Sequence, residues 1–136
     1  MAPFLLNGLT MTTMQDAALD DELKTLQLDY LRDVREKVGM MKGHCDALSS
    51  ARNFKTSFPV LLYLSHQLKG SGGSLGFPQI SELAEKLNGE LNSFLDGDEV
   101  RPTPVELSRS AVHLITRLQD VAAEAETALG AQSLHP

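Results

Sequence analysis

Residues 15–48 read QDAALDDELKTLQLDYLRDVREKVGMMKGHCDAL. Apolar side chains return at intervals of three or four in this stretch, which is the spacing of one face of an α-helix. That stripe consists of Leu19, Leu23, Leu26, Tyr30, Val34, Val38, Met41, Cys45 and Leu48. The remaining positions are mostly charged, so the sequence predicts an amphipathic helix over residues 15–48 with solvated charged faces. Gly39 and Gly43 weaken its last turns and predict fraying or a bend there.

Two further segments with the same periodicity follow. A polar stretch over residues 49–57 separates the first helix from a second one, predicted for residues 58–75. Gly76 is suited to end that helix in a left-handed conformation. Pro78 suits the first turn of a third helix, which the sequence Asp96-Gly97-Asp98 ends.

A fourth helix has the clearest start. Thr103 can cap it, Pro104 can occupy its first position, and Glu106 can reach back to complete a capping box. The predicted helix continues to Gly130.

Four amphipathic helices with short connections predict an all-α fold, an antiparallel four-helix bundle over residues 15–130. Residues 1–14 are expected to form a short extra helix or to be disordered, and residues 131–136 a flexible tail. A chain of 136 residues with 42% apolar residues fits a single domain that folds without disulfides or a structural metal.

Charge and cysteine content limit the function classes. A net charge of −6 and a pI near 5.1 argue against nucleic acid or an anionic membrane as the partner. No stretch has the length of a membrane span or the pattern of a secretory signal. The single Cys45 cannot form an intramolecular disulfide, and a reducing compartment fits it. We therefore expect a cytoplasmic protein.

The usual signatures of enzymes and metal sites are missing. The stretch Gly70–Gly76 is rich in glycine, but Leu75 stands where a phosphate-binding loop or a dinucleotide fingerprint needs glycine. No Glu precedes a His by three residues, so the two-metal arrangement of helical bundles has no ligands. We expect no metal site, and His44, His113 and His135 are interpreted as surface or boundary residues.

His66 differs from these histidines in its position on the second helix. At about 100° per residue, the imidazole falls opposite the predicted buried stripe of Leu61, Leu64, Leu68 and Leu75 and is expected to face solvent. Neutral imidazole has a ring-nitrogen lone pair, so an exposed histidine is a possible nucleophile at physiological pH. In the stretch around His66, no second carboxylate or hydroxyl completes a hydrolytic triad. This absence favours a reaction in which a chemical group is carried briefly on the ring nitrogen over hydrolysis.

Small and basic residues surround this histidine. Lys69 lies three positions on, close enough to pair with an anionic group on the ring. Gly70 and Gly73 lie one and two turns on, although glycine costs about 0.5–1 kcal/mol in a helix. Their missing side chains would let another protein approach the imidazole, whereas Gly72 lies nearer the buried side and suits tight packing.

The sequence Leu64-Ser65-His66-Gln67-Leu68-Lys69-Gly70-Ser71-Gly72-Gly73-Ser74-Leu75-Gly76 resembles the signature of histidine-containing phosphotransfer (HPt) domains. That signature is a histidine followed by an apolar residue at +2, lysine at +3, glycine at +4, small residues, and glycine at +10. His66, Leu68, Lys69, Gly70 and Gly76 match it.

The resemblance implies that His66 takes a phosphoryl group from the aspartate of one receiver domain and passes it to that of another. These receivers would belong to a hybrid histidine kinase and a response regulator. It further implies that Lys69 holds the phosphoryl group, that Gly70 makes room for it, and that Mg²⁺ belongs to the receiver and no cofactor to this chain. Leu62 and Tyr63, with Pro59, are candidates for receiver docking, although partial burial would explain them equally well.

Two alternatives stay open at this point. The sequence Ser65-His66-Gln67-Leu68-Lys69 also resembles the phosphorylation box of histidine-kinase dimerisation domains, but Gly70-Ser71 replaces its Thr-Pro pair and no ATP-binding domain follows. That alternative predicts two long helices in a homodimer, whereas the phosphotransfer domain is expected to be a monomer. An unphosphorylated adaptor built on the same bundle is the other alternative.

Overall fold

The computed structural model of the chain describes residues 2–50, 52–97 and 102–133, with side chains from residue 17 to residue 131 of these ranges. Within them the protein is helical and contains no strand. The α-helices are α1 (Ala2–Cys45), α2 (Phe54–Ser71), α3 (Pro78–Asp96) and α4 (Pro104–Ser133), and a 3₁₀ turn (Asp46–Ser49) follows α1. The predicted all-α, four-helix architecture is confirmed.

The helices form a bundle in which each one packs against two neighbours. Helix α1 contacts α2 and α4, and α3 contacts the same two helices. Lys42 donates to Gln119, while Arg35, two turns earlier in α1, pairs with Glu126, two turns later in α4, at 2.8 Å. The opposite order of these pairs shows that α1 and α4 run antiparallel.

The core is built from the apolar stripes of the four helices. Its fully buried large side chains are Leu31, Val34, Met41, Leu48, Leu61, Leu68, Ile80, Leu87, Leu91, Leu107, Ile115 and Leu118. Burying a side chain of this kind contributes about 1.5–3 kcal/mol, so these stripes supply most of the driving force for folding.

The first helix is longer than predicted. It begins at Ala2, so residues 2–14 belong to α1 and do not form a separate short helix or a disordered segment. It continues through Gly39 and Gly43 before it tightens into the 3₁₀ turn.

The start of the apolar stripe of α1 is exposed to solvent. Leu19, Leu23 and Leu26 are 61%, 47% and 57% exposed. Gln27 already contacts the carbonyl of Leu75, in the turn after α2, at 2.9 Å. The residues before Gln27 therefore extend past that end of the bundle. The apolar stripe continues toward the N-terminus of α1, but the neighbouring helices end before they can cover it.

Helix α2 begins at Phe54, four positions before the predicted start, and it includes Pro59. The rings of Phe54 and Phe58 stack with centroids 5.1 Å apart, and Phe94 of α3 lies 5.3 Å from Phe54. This aromatic packing stabilises the first turn of α2. Because α2 begins at Phe54, Pro59 lies inside the helix. Its missing N–H removes one backbone hydrogen bond there.

Helix α2 ends at Ser71, four positions before the predicted end, and Gly76 adopts its predicted left-handed conformation in the turn that follows the helix. Gly76 has φ +93°, and the amides of Gly76 and Phe77 donate to the carbonyls of Gly73 and Gly72, the hydrogen-bond pattern of a Schellman motif. Gly97 follows α3 with φ 72°.

The predicted Thr103 cap of α4 is confirmed. The amide of Glu106 donates to Thr103 Oγ1 at 3.2 Å. The Glu106 carboxylate accepts the Thr103 hydroxyl at 2.9 Å, whereas in the predicted capping box it would accept the Thr103 backbone amide. The helix is longer than expected at its other end. Helix α4 continues to Ser133, so residues 131–133 of the predicted tail are helical, and residues 134–136 lie outside the described residues.

Candidate functional site on α2

His66 lies on the exposed face of α2. The opposite face carries Leu61, Leu64 and Leu68, which are at most 5% exposed and anchor the helix in the core. This is the orientation that the helical spacing predicted. The imidazole is therefore presented to solvent by a helix whose other side is fixed.

The surface that follows His66 is open. Lys69, Gly70 and Gly73 are all exposed. A Cβ atom added at Gly70 or Gly73 would meet nothing within 4 Å. Neither glycine is required by the packing of this chain, so the open surface beside the imidazole is available to a second molecule.

Gly72 has the opposite environment and is buried against α3. A Cβ atom there would lie 2.7 Å from the backbone nitrogen of Ser81 and 3.0 Å from the carbonyl oxygen of Phe77. The hydroxyl of Ser81 also donates to the carbonyl of Lys69. The end of α2 is thus held closely against the start of α3, just after the turn that carries His66 and Lys69.

A shallow groove of about 410 Å³ borders the imidazole. It is lined by Pro59, Leu62, Tyr63, His66, Asn88 and Asn92. Tyr63 is 61% exposed and its hydroxyl accepts a hydrogen bond from Gln67 at 2.7 Å, while Leu62 is half-buried. The two predicted docking residues and Pro59 therefore share one surface with His66.

Two asparagines of α3 in this groove were not singled out in the sequence. Asn88 is buried, and its Nδ2 donates to the carbonyl of Leu62 at 3.3 Å and to Ser65 Oγ at 3.1 Å. Asn92 Nδ2 donates to Asn88 Oδ1 at 3.0 Å. Asn88 could have been noticed in the sequence as a polar residue one helical turn after Ala84, on the apolar side of α3.

Helix α1 contacts the end of α2 that follows His66. The hydroxyls of Tyr30 and Ser71 are 2.8 Å apart, and the Tyr30 ring stacks on Phe77 with centroids 5.9 Å apart. Burial raises the pKa of Tyr30, while the Ser71 hydrogen bond opposes that shift. Tyr30 therefore connects α1 both to the last residue of α2 and to the loop before α3.

The other histidines lie elsewhere. His44 is half-buried, with Nδ1 2.9 Å from Ser57 Oγ, and His113 is exposed on α4. His135 lies outside the described residues. Among the residues that the structure describes, no three His, Cys, Asp or Glu side chains are grouped closely enough to hold a metal ion, and no helix is long and apolar enough to cross a membrane.

Comparison with known proteins identifies the fold around this site. The family model of the Hpt domain matches residues 29–114, which is more than half of the chain and includes His66. No curated protein and no solved structure matches the chain. The match agrees with the four helices found here, where a kinase dimerisation domain would have two. The chain belongs to the Hpt domain family, whose members act in histidine phosphotransfer within phosphorelay signalling and interact with receiver domains.

Proposed function

We propose that His66 accepts a phosphoryl group from the aspartate of one receiver domain and passes it to the aspartate of a second receiver. The observation that carries this proposal is an exposed imidazole on a well-anchored helix, with Lys69 and the side-chain-free positions Gly70 and Gly73 beside it. A receiver must bring its aspartyl phosphate into contact with the ring, and this surface leaves room for that approach.

In the forward transfer a ring-nitrogen lone pair of neutral His66 attacks the phosphorus of the aspartyl phosphate. A P–N bond forms while the P–O bond to the aspartate breaks, and the carboxylate leaves with the electron pair. The second transfer reverses these steps with a new carboxylate. Such transition states need positioning and neutralisation of charge more than covalent help. We assign charge neutralisation to the ammonium group of Lys69 and to Mg²⁺ held by the receiver.

The groove beside His66 supplies an apolar docking surface for this reaction. Leu62 and Tyr63 expose part of their side chains there, together with Pro59. We propose that the donor and acceptor receivers, of a hybrid histidine kinase and of a response regulator, bind this surface in turn. One bundle holds every residue of the proposed site, so we propose that the protein acts as a monomer, in the cytoplasm with its receivers.

The test is phosphoryl transfer from a panel of labelled phospho-receivers to the wild type, to His66→Gln and to His113→Gln. His113 is a matched control because it is also an exposed helical histidine. We expect acid-labile label on the wild type and on His113→Gln, and none on a folded His66→Gln. Label that persists on His66→Gln would show that another residue is the acceptor.

A wild type that takes no label from any receiver, while a known phosphotransfer domain does so in parallel, would contradict the proposal. Binding of a receiver without transfer would then favour the adaptor alternative.

A further inference from the structure

We propose that Asn88 is a positioning residue for phosphoryl transfer, because its carboxamide fixes the turn of α2 that carries His66. This inference rests on the proposed function of His66. Asn88 belongs to α3, is 5% exposed, and makes its hydrogen bonds across the boundary between the two helices.

The bonds of Asn88 converge on the backbone of the acceptor turn. Within an α-helix the carbonyl of Leu62 accepts the amide of His66. The same carbonyl accepts Asn88 Nδ2 at 3.3 Å and the hydroxyl of Ser65 at 3.0 Å. Asn88 Nδ2 also donates to Ser65 Oγ at 3.1 Å. The side chain of Asn88 thereby joins α3 to the residue before His66 and to the peptide group that bonds His66.

A third contact fixes the orientation of the carboxamide. Asn92, one turn further along α3, donates from Nδ2 to Asn88 Oδ1 at 3.0 Å. If the Asn88 carboxamide were flipped, its oxygen would face the carbonyl oxygen of Leu62, and its NH₂ group would face the NH₂ group of Asn92. The network therefore allows one orientation, in which both the oxygen and the nitrogen of Asn88 have partners.

The acceptor turn is the part of α2 that most needs such a support. Pro59 removes a backbone hydrogen bond on the N-terminal side of His66. Gly70, on the C-terminal side, lowers helical stability and has no packing partner for an added Cβ. Asn88 attaches α2 to α3 between these two weak points. A displacement of the reacting atoms by about 1 Å can lower a reaction rate up to a hundredfold. Hydrogen bonds that hold this turn in place should therefore affect the rate of phosphoryl transfer.

The experiment compares Asn88→Leu and Asn88→Asp with a matched control, Ser108→Ala. Asn88→Leu replaces the carboxamide by an apolar group of similar size, and Asn88→Asp keeps the shape but removes both donors. Ser108 is also buried in the bundle, where its hydroxyl donates to the carbonyl of Cys45 at 2.9 Å, away from the groove of His66. Single-turnover transfer from a phosphorylated receiver is measured over a range of receiver concentrations, on samples shown to be folded.

We expect both Asn88 variants to lower the transfer rate constant at saturating receiver by about tenfold, with the half-saturating concentration unchanged within about twofold. Ser108→Ala should keep the wild-type rate. Amide hydrogen exchange at His66 should accelerate in Asn88→Leu relative to exchange at Ile115 in the core of α4, which a uniform loss of stability would not produce.

Wild-type rates in both Asn88 variants, or a loss no larger than that of Ser108→Ala, would overturn the inference while leaving the proposed function intact. A wild type that accepts no label on His66 would overturn the proposed function and this inference with it.

Discussion

Replacement of Gly72 by alanine tests the close contact between α2 and α3 that follows the acceptor turn. The new Cβ would lie 2.7 Å from the nitrogen of Ser81, 3.0 Å from the oxygen of Phe77 and 3.2 Å from Cβ of Ile80. Two of these three atoms belong to the backbone and cannot rotate away. The substitution therefore requires the start of α3 to move away from the end of α2.

The size of the effect follows from two opposing contributions. Overpacking of this kind costs about 1–3 kcal/mol. The backbone at Gly72 is helical, with φ −57° and ψ −50°, so alanine adds no strain there and gains about 0.5–1 kcal/mol of intrinsic preference. We expect a net loss of about 1–2 kcal/mol in the free energy of unfolding. For a chain of this length that corresponds to a melting temperature lowered by roughly 5 °C.

Gly70→Ala is the matched control, because it is the same substitution two positions earlier and nothing lies within 4 Å of its added Cβ. It should raise the free energy of unfolding by about 0.5–1 kcal/mol. The assay is thermal and urea unfolding followed by circular dichroism. Equal stability of Gly72→Ala and the wild type, or an equal loss in both variants, would refute the packing argument.

Three further predictions concern transfer and pH. Gly70→Gln should lower phosphoryl transfer more than about tenfold by blocking the approach to His66, without lowering the melting temperature, and unchanged transfer would contradict the role assigned to this open position. Lys69→Ala should slow transfer by about tenfold or shorten the lifetime of the phosphorylated form, whereas Lys86→Ala on the exposed surface of α3 should do neither. If Lys69→Ala behaves like that control, the ammonium group has no part in the reaction. Burial, with a smaller contribution from Asp46, raises the pKa of the Cys45 thiol from 9.0 to about 11. The unfolded chain therefore ionises first as the pH rises, so the stability linked to the neutral thiol is complete below pH 9 and falls by roughly 2 kcal/mol as the pH approaches 11. Urea unfolding of the wild type and of Cys45→Ala across this range should show that extra loss in the wild type alone, and parallel curves would show that burial of the thiol has no such effect.

Local signals in the sequence predicted a large part of this fold. The cap at Thr103 and the left-handed Gly76 depend on neighbouring residues alone, and both are found in the structure. The orientation of His66 followed from helical spacing for the same reason. Gly72 could likewise be assigned to the packed side of α2 before its partners on α3 were known.

The features that were missed depend on residues far apart in the chain. Helix α2 starts early because Phe54 packs on Phe94 of α3. Leu19 is exposed although it continues the stripe of α1, because a stripe does not reveal where its neighbouring helices end. Asn88 is a polar residue on an apolar face, and its partners become apparent once α2 and α3 are paired.

The length of α1 also determines how the molecule rotates in solution. At about 1.5 Å per residue, its 44 residues measure about 66 Å, against about 27 Å for the 18 residues of α2. Rotation of this long axis is slower than rotation about it, and backbone N–H bonds of a helix lie nearly parallel to the helix axis. Amides throughout the bundle should therefore relax in NMR experiments as though they belonged to a protein heavier than 14.8 kDa. Removal of the residues before Gln27 should shorten the rotational correlation time of the bundle by more than the loss of mass alone would.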